Sequence, residues 1–301
     1  MSRRGWVLFL AMSIIWGVPY LLIKVAVGEL SPVLVVFGRC AIGAALLLPW
    51  ALAKRQVRPA LRHWKPLLLF TVLEMTAPWL LLSYAEQQLS SSLTGLLVAT
   101  VPFVAALAGR LAGEEDRLTV VRLAGMGLGV VGIAALLGLD VGGAHLLPLL
   151  AVAGTVVGYA TAPLVVSRKL PEVPGTAASA IALSLTAVVY APFAVPRLGS
   201  VVQTPGRALL AVATLGVVCT ALALAVFFQL IREVGPQRAL VITFVNPTVA
   251  VVLGVLLLDE PFTLGIALGL PLVLVGCVLA TRRGGQRASG AGAQPVATSG
   301  P

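Results

Sequence analysis

The 301-residue chain is 59% hydrophobic and only 11% charged, whereas soluble domains carry about 45–50% apolar and about 25% charged residues. This small number of polar groups cannot cover the surface of a folded protein in water. The composition therefore excludes a soluble protein and predicts an all-α integral membrane protein. The net charge of +10 would suggest nucleic-acid binding in a soluble protein. Here the basic residues lie between apolar runs and are explained by membrane topology, so we expect no nucleic-acid partner.

Ten apolar stretches are each long enough, at about 20 residues, to cross a bilayer as a helix. They cover residues 6–27, 32–53, 66–88, 91–112, 119–138, 146–167, 175–194, 208–230, 236–258 and 262–281. The first follows Arg3 and Arg4, as a signal peptide would, but it is longer than a signal core, so we expect a retained helix. The Gly-, Ala- and Ser-rich tail 284–301 is predicted to be disordered.

The basic residues favour one orientation. With a cytoplasmic N-terminus, 17 of the 21 Lys and Arg lie in or beside inner connections, and only Arg197 and Arg207 lie in outer ones. The other two, Lys24 and Arg39, lie within spans. Because basic residues are enriched on the cytoplasmic side, the sequence predicts a multi-pass protein of the cytoplasmic (inner) membrane with both termini in the cytoplasm.

The second half of the chain repeats a pattern of the first at a constant offset of 145 residues. At this offset the same residue types coincide: Pro102 with Pro247, Gly109 with Gly254, and Glu115 with Glu260. The predicted repeats are residues 1–138 and 139–283, with five spans each. An odd number of spans turns the second copy upside down, which is the inverted-repeat architecture of many secondary transporters.

The chain resembles the EamA-type transporters of the drug/metabolite transporter superfamily. The resemblance rests on Trp16-Gly17 in the first span, Gly113-Glu114 before the fifth, and Pro-x12-Glu in both halves. It implies ten helices in two inverted five-helix repeats around a central cavity, framed by spans 1, 3, 4, 6, 8 and 9. It also implies transport of small metabolites, commonly amino acids and their relatives. The sixth span departs from the pattern, with Gly158-Tyr159 near the place of a Trp-Gly pair.

Interior prolines interrupt six of the predicted spans. Each removes an N–H and frees the carbonyl four residues earlier, which in lipid must find a partner or face a watery cavity. Neighbouring helices can satisfy ordinary kinks of this kind. Alternatively, the prolines shape the cavity and act as hinges: Pro19, Pro78, Pro102, Pro163, Pro247 and Pro271.

The first span carries Trp16, Tyr20 and Lys24 at i, i+4 and i+8, which places them on one helix face. Aromatic rings beside a cation suit a substrate with an apolar body and a carboxylate. The alternative is an interfacial aromatic residue with a lysine that snorkels to the headgroups. The other candidate substrate contacts are Trp79, Tyr159 and Asn246. Asn246 equally suits an interhelical hydrogen bond, and Trp79, at i+5 from Glu74, is predicted to point about 140° away from it.

Glu74 lies roughly 13 Å inside the third predicted span at 1.5 Å per residue. An acid at that depth is costly in lipid and should face the bundle interior. Pro78, four residues later, frees the carbonyl of Glu74 itself. Glu74 is therefore a candidate group for proton coupling or for binding a substrate amine. The alternative is a structural salt bridge to Arg39 in the second span.

Glu115 and Glu260 precede the starts of the fifth and tenth spans. An acid in this position complements the positive end of the helix dipole, and Pro261 suits a first helical position. Capping is therefore one interpretation of the repeated glutamates, and a role in gating is the other.

An enzyme is not expected from this sequence. The three cysteines, Cys40, Cys219 and Cys277, form neither a disulfide framework nor a zinc motif. The two histidines, His63 and His145, lie near span ends. We expect no metal and no cofactor, and the absence of a GxxxxGK[ST] motif argues against an ATPase.

The sequence thus predicts a secondary active transporter that exports amino acids or related zwitterions by alternating access, with a proton as candidate coupling ion. The expected partners are the lipid bilayer and a small-molecule substrate. Nothing in the sequence points to a particular oligomeric state. Efflux of drugs or hydrophobic cations and a lipid-flipping accessory subunit are the alternatives, and a membrane-embedded enzyme would need a polar cluster that is not visible.

Overall fold

The computed structural model describes residues 2–113, 119–140, 146–235, 239 and 241–281. Within these ranges, all regular structure is helical. The tail 284–301, Glu115 and residues 236–238 of the predicted ninth span lie outside the described residues.

Ten helices correspond to the ten predicted apolar stretches in the described residues. They are α1 Arg3–Val27, α2 Pro32–Ala53, α3 Trp64–Ala85, α4 Ser91–Leu111, α5 Val120–Asp140, α6 Leu146–Lys169, α7 Gly175–Gln203, α8 Gly206–Val234, α9 Ile242–Leu257 and α10 Leu264–Thr281. A five-residue helix, Val57–Leu61, lies between α2 and α3. Among the described helices, α1 to α8 are long and apolar enough to cross a membrane, while α9 and α10 are shorter. The all-helical prediction is confirmed.

Polar and apolar side chains are distributed as a lipid environment requires. Large apolar side chains such as Leu111, Val120 and Leu210 are exposed on the outside, at 81%, 82% and 69%. Charged side chains such as Arg39 and Glu86 are buried instead, at 8% and 0% exposure. In water this arrangement would be unfavourable, but in a bilayer the apolar surface is the solvated one.

Three of the predicted hinge prolines lie just after irregular helix turns. Pro19 follows a break in α1 at Trp16 and Gly17, and Pro102 follows a break in α4 at Ala99 and Thr100. Pro78 follows a π-helical turn at Val72–Thr76. A proline in the first turn of a new helical segment loses no needed N–H bond. Pro163, Pro247 and Pro271 lie within regular helices, and Pro163 and Pro271 are on exposed faces.

A second π-helical turn occurs in α8, at Val217–Leu222. It begins 145 residues after the start of the Val72–Thr76 turn, which is the offset of the sequence repeat. π-helical turns are rare and frequently occur at functional sites. Their occurrence at matching positions in α3 and α8 is a structural counterpart of the repeat.

The helix contacts have a twofold pattern. The larger contacts include α5 with α10, α2 with α7, α4 with α9, α3 with α6, and α1 with α8. Replacing each helix by the one five places away converts the α3–α6 pair into the α8–α1 pair and leaves the other three unchanged. Each of the first five helices therefore packs mainly on a helix of the second five.

The α5–α10 contact depends on glycines that allow backbone to touch backbone. A Cβ atom on Gly276 would lie 2.7 Å from the carbonyl oxygen of Gly125 and 2.7 Å from the nitrogen of Gly129. These neighbours are backbone atoms and cannot rotate away. Gly127 on α5 instead has open space where its Cβ would be.

We therefore expect Gly276→Ala to destabilise the protein by about 1–3 kcal/mol through overpacking. Gly127→Ala is the matched control and should be neutral or up to about 1 kcal/mol stabilising, because alanine favours the helix over glycine. Thermal unfolding of the two variants in detergent checks this prediction. Equal stability of the two variants would contradict the packing described for α10.

Candidate functional site

Arg39 connects the two halves of the chain near the centre of the bundle. It lies two turns into α2 and is 8% exposed. Its guanidinium carbon is 3.7 Å from the ring centroid of Trp79 on α3, which is a cation–π contact. Its Nε donates a hydrogen bond of 2.9 Å to Oγ1 of Thr220 on α8. A charged side chain inside a membrane protein needs such partners.

Both partners of Arg39 are positioned by the irregular turns. Trp79 follows the π-helical turn of α3, and Thr220 lies within the π-helical turn of α8. The Thr220 hydroxyl donates to the carbonyl of Leu215, five residues earlier, at 2.8 Å. It therefore presents its oxygen to Arg39 as an acceptor.

Glu74 lies within the π-helical turn of α3 and is half-buried. It is close enough to Tyr159 of α6 to interact electrostatically. In the described part of the chain, Glu74 and Arg39 form no ion pair within 4.0 Å, so the predicted salt bridge is absent from this conformation. The acid and the base of the site do not neutralise each other.

The π-helical turn changes which carbonyl Pro78 leaves without a partner. In this turn the N–H of Ala77 bonds the carbonyl of Val72, five residues back. On the same register, Pro78 would release the carbonyl of Leu73 rather than that of Glu74. A Cβ on Gly158 of α6 would lie 2.4 Å from this Leu73 oxygen, so glycine is needed there for α6 to approach α3.

Two tyrosines and a tryptophan surround the charged residues. Tyr159 of α6 lies near Trp79, Arg39 and Glu74. Tyr20 of α1 interacts electrostatically with Tyr159 and Arg39 and faces Gly95 of α4, where a Cβ would lie 3.5 Å from its ring. We name these residues the central cluster: Tyr20, Arg39, Glu74, Trp79, Tyr159 and Thr220.

The other candidate substrate contacts lie elsewhere. Trp16 packs on Phe227 of α8, with ring centroids 4.7 Å apart. The helix break at Trp16 and Gly17 separates it from the Tyr20 turn. Lys24 donates to the carbonyls of Glu86 and Leu89, both at 2.8 Å, and so ties α1 to the α3–α4 connection. Asn246 lies on α9 beside the break in α1, where a Cβ on Gly17 would be 3.1 Å from its carbonyl oxygen.

Glu260 caps a helix, but the helix is α4 rather than α10. Its carboxylate accepts hydrogen bonds from the backbone N–H groups of Ser91 and Ser92, at 2.7 and 3.0 Å, and from the Ser92 hydroxyl. A Cβ on Gly254 would lie 2.4 Å from this carboxylate. The repeated glycine and glutamate therefore work together to join the second half to the first. The corresponding Glu115 lies outside the described residues.

Two residues of this region were not predicted. Thr220 is one of several threonines in apolar spans, and only the packing of α8 on α2 identifies it as the partner of Arg39. Glu86 is fully buried, and neither of its carboxylate oxygens has a hydrogen-bond partner. The sequence feature that could have identified Glu86 is the presence of an acid inside the predicted span 66–88.

Comparison with known proteins identifies relatives along the whole chain. The EamA-like transporter family model matches residues 3–138 and again 146–282. The inner membrane transporter YedA of Escherichia coli K12, described as uncharacterised, is 29% identical over 276 residues, covering 90% of this chain and 88% of YedA. The uncharacterised transporter YvbV of Bacillus subtilis 168 is 25% identical over 295 residues, covering 97% and 96%.

A solved crystal structure, described only as that of a protein, shares the fold. Its TM-score is 0.64 at 20% identity, and the match covers 93% of this chain and 98% of that chain. At this identity the likeness shows the fold alone. The family model matches both halves, and the helices are those of a multi-pass integral membrane protein. The chain belongs to the EamA-like transporter family.

Proposed function

We propose that the protein is a secondary active transporter that exports small zwitterionic metabolites, such as amino acids, across the cytoplasmic membrane. The observation that carries this proposal is the presence of a base and an acid in the central cluster without an ion pair between them. Arg39 suits the substrate carboxylate, Glu74 suits the amine, and Tyr20, Trp79 and Tyr159 supply aromatic walls. Arg39 replaces Lys24 as the proposed carboxylate partner, because the Lys24 ammonium group bonds two carbonyls, whereas the hydrogen bond of Arg39 to Thr220 uses only Nε and leaves the terminal guanidinium nitrogens for a carboxylate.

The proposed mechanism is alternating access between two inverted five-helix repeats, residues 1–138 and 139–283. The π-helical turns at one offset and the twofold pattern of helix contacts support the repeat. The distribution of basic residues supports a cytoplasmic N-terminus and C-terminus. Inverted halves that exchange shapes would open the central site to each side in turn.

No enzymatic step, metal or cofactor enters this proposal. A proton is the candidate coupling ion, because acids lie inside the bundle. Efflux of a hydrophobic cation is the competing function, since Glu74 and the aromatic residues would also accept such a cation. Lipid flipping by an accessory subunit is a further alternative.

Purified protein in liposomes should exchange a ¹⁴C-labelled mixture of proteinogenic amino acids across the membrane. Overexpression in cells should raise tolerance to toxic amino-acid analogues. Empty liposomes and non-expressing cells are the controls. Protein that moves no amino acid, yet scrambles fluorescent lipid or moves a hydrophobic cation, would establish one of the alternatives instead.

We expect Glu74→Gln to reduce exchange at least about tenfold, because losing a charged partner for the amine costs roughly 1.5–3 kcal/mol. The amount of folded protein in the membrane should not change, since glutamine keeps the side-chain shape. Glu172→Gln, on the exposed α6–α7 connection, is the matched control and should exchange normally. Normal exchange by Glu74→Gln would remove this residue from the site.

The proposed topology predicts the labelling of single cysteines in a variant lacking Cys40, Cys219 and Cys277. A cysteine at position 116 should be protected from an impermeant maleimide added outside, and one at position 259 should be labelled. The reason is that the two positions belong to corresponding connections of oppositely oriented repeats. Labelling at 116 or protection at 259 would contradict the inverted arrangement.

A further inference from the structure

The carboxylate of Glu86 is an isolated acid at the end of α3. The side chain has 0% exposure, and both oxygens lack a hydrogen-bond partner. Leaving an ionised carboxylate buried in this way is costly, so the neutral form is favoured unless a cation reaches it. None of the roles assigned above to the central cluster uses this acid.

Lys24 is held beside Glu86 without a hydrogen bond to its carboxylate. Lys24 Nζ donates to the main-chain carbonyls of Glu86 and Leu89, and Lys24 interacts electrostatically with the Glu86 side chain. The lysine therefore has two alternative acceptors: the carbonyls that fix α1 to the α3–α4 connection, and the adjacent carboxylate. Because Lys24 is part of α1, a change from one acceptor to the other would accompany a movement of α1.

The other charged and titratable groups near Glu86 come from three helices and a connection. The charges of Arg39 of α2 and Glu260 of the α9–α10 connection are close enough to affect the ionisation of Glu86. Glu86 in turn lies close to Tyr20 of α1 and Tyr159 of α6. Glu260 is already hydrogen-bonded by Ser91 and Ser92. As a neighbouring acid, it adds to the cost of ionising Glu86. Tyr20 and Tyr159 connect this region to the central cluster.

We propose that Glu86 carries the coupling proton of the transporter. This inference rests on the proposed function. Glu86 loses its proton to the cytoplasm when the inner end opens, and the carboxylate then pairs with the Lys24 ammonium group while substrate is carried outward. When the outer end opens, this pair separates and water enters. After substrate leaves, the carboxylate takes one proton from the outer solution. Closure buries the neutral acid, which fits the burial of Glu86 without a hydrogen-bond partner, and opening of the inner end returns that proton to the cytoplasm.

Two transport measurements on the full chain in liposomes separate coupling from substrate binding. Exchange of ¹⁴C-labelled amino acids at equal pH needs no net proton movement, whereas accumulation driven by a pH gradient does. Glu86→Gln should keep exchange within about twofold of wild type and lose accumulation. Glu86→Asp should retain accumulation with a shifted pH profile. The control Glu29→Gln, which removes an ion pair to Arg207 at the bundle surface, should resemble wild type in both.

A third measurement does not depend on the substrate. Infrared spectroscopy of the purified protein at neutral pH should show the carbonyl band of a protonated carboxyl group, and Glu86→Gln should lack part of that band. Unchanged accumulation by Glu86→Gln, loss of its exchange, or an unchanged infrared band would each overturn the proposal. If wild type exchanges no amino acid while the band behaves as expected, the proposed substrate class fails and the assignment of the proton to Glu86 is supported.

Discussion

The guanidinium of Arg39 is the constraint on which the centre of the molecule depends. A permanent charge inside a bilayer-spanning bundle requires partners, and this one finds a ring on α3 and a hydroxyl on α8. It therefore fixes two helices of opposite halves around α2. Because these partners hold the guanidinium in place without Glu74, the acid stays available beside Tyr159. A direct ion pair would have neutralised both groups and left little for a polar substrate to bind.

Helix positions could be predicted because a bilayer imposes a simple length and composition on every span. The depth of Glu74 and the glycine before Tyr159 also indicated interior residues. Trp79 shows why side-chain directions could not all be predicted. Counting 100° per residue places it far from Glu74, but a π-helical turn bonds residues five apart and brings i and i+5 nearer the same side. The periodicity of the sequence contains no information about such a turn. The hydrogen bonds of Lys24 could not be predicted either, because only the folded chain brings the carbonyls of Glu86 and Leu89 near it.

Two polar contacts lie side by side at the start of α4, and one of them joins the two halves. Glu260 holds the start of α4, and Lys24 holds the connection before it. Both contacts use backbone groups that a helix end or an irregular connection leaves unpaired. Such contacts can break and reform without disturbing a hydrophobic interface, since water replaces the lost partners. The α5–α10 contact differs, because glycine backbones pack directly on each other and the buried Arg122 of α5 donates a hydrogen bond of 2.9 Å to the carbonyl of Ala280 on α10.

The paired π-helical turns have a consequence for the energies of the two end states. The turn in α8 has alanine at position 223, where the offset would place a counterpart of Pro78, so a proline is not required to maintain it. Position 219, the counterpart of Glu74, is a cysteine. The duplicated backbones thus match in shape while their chemistry differs. If the halves exchange conformations, the exchanged state cannot have the same electrostatic energy as the first, and one of them will be more populated without substrate.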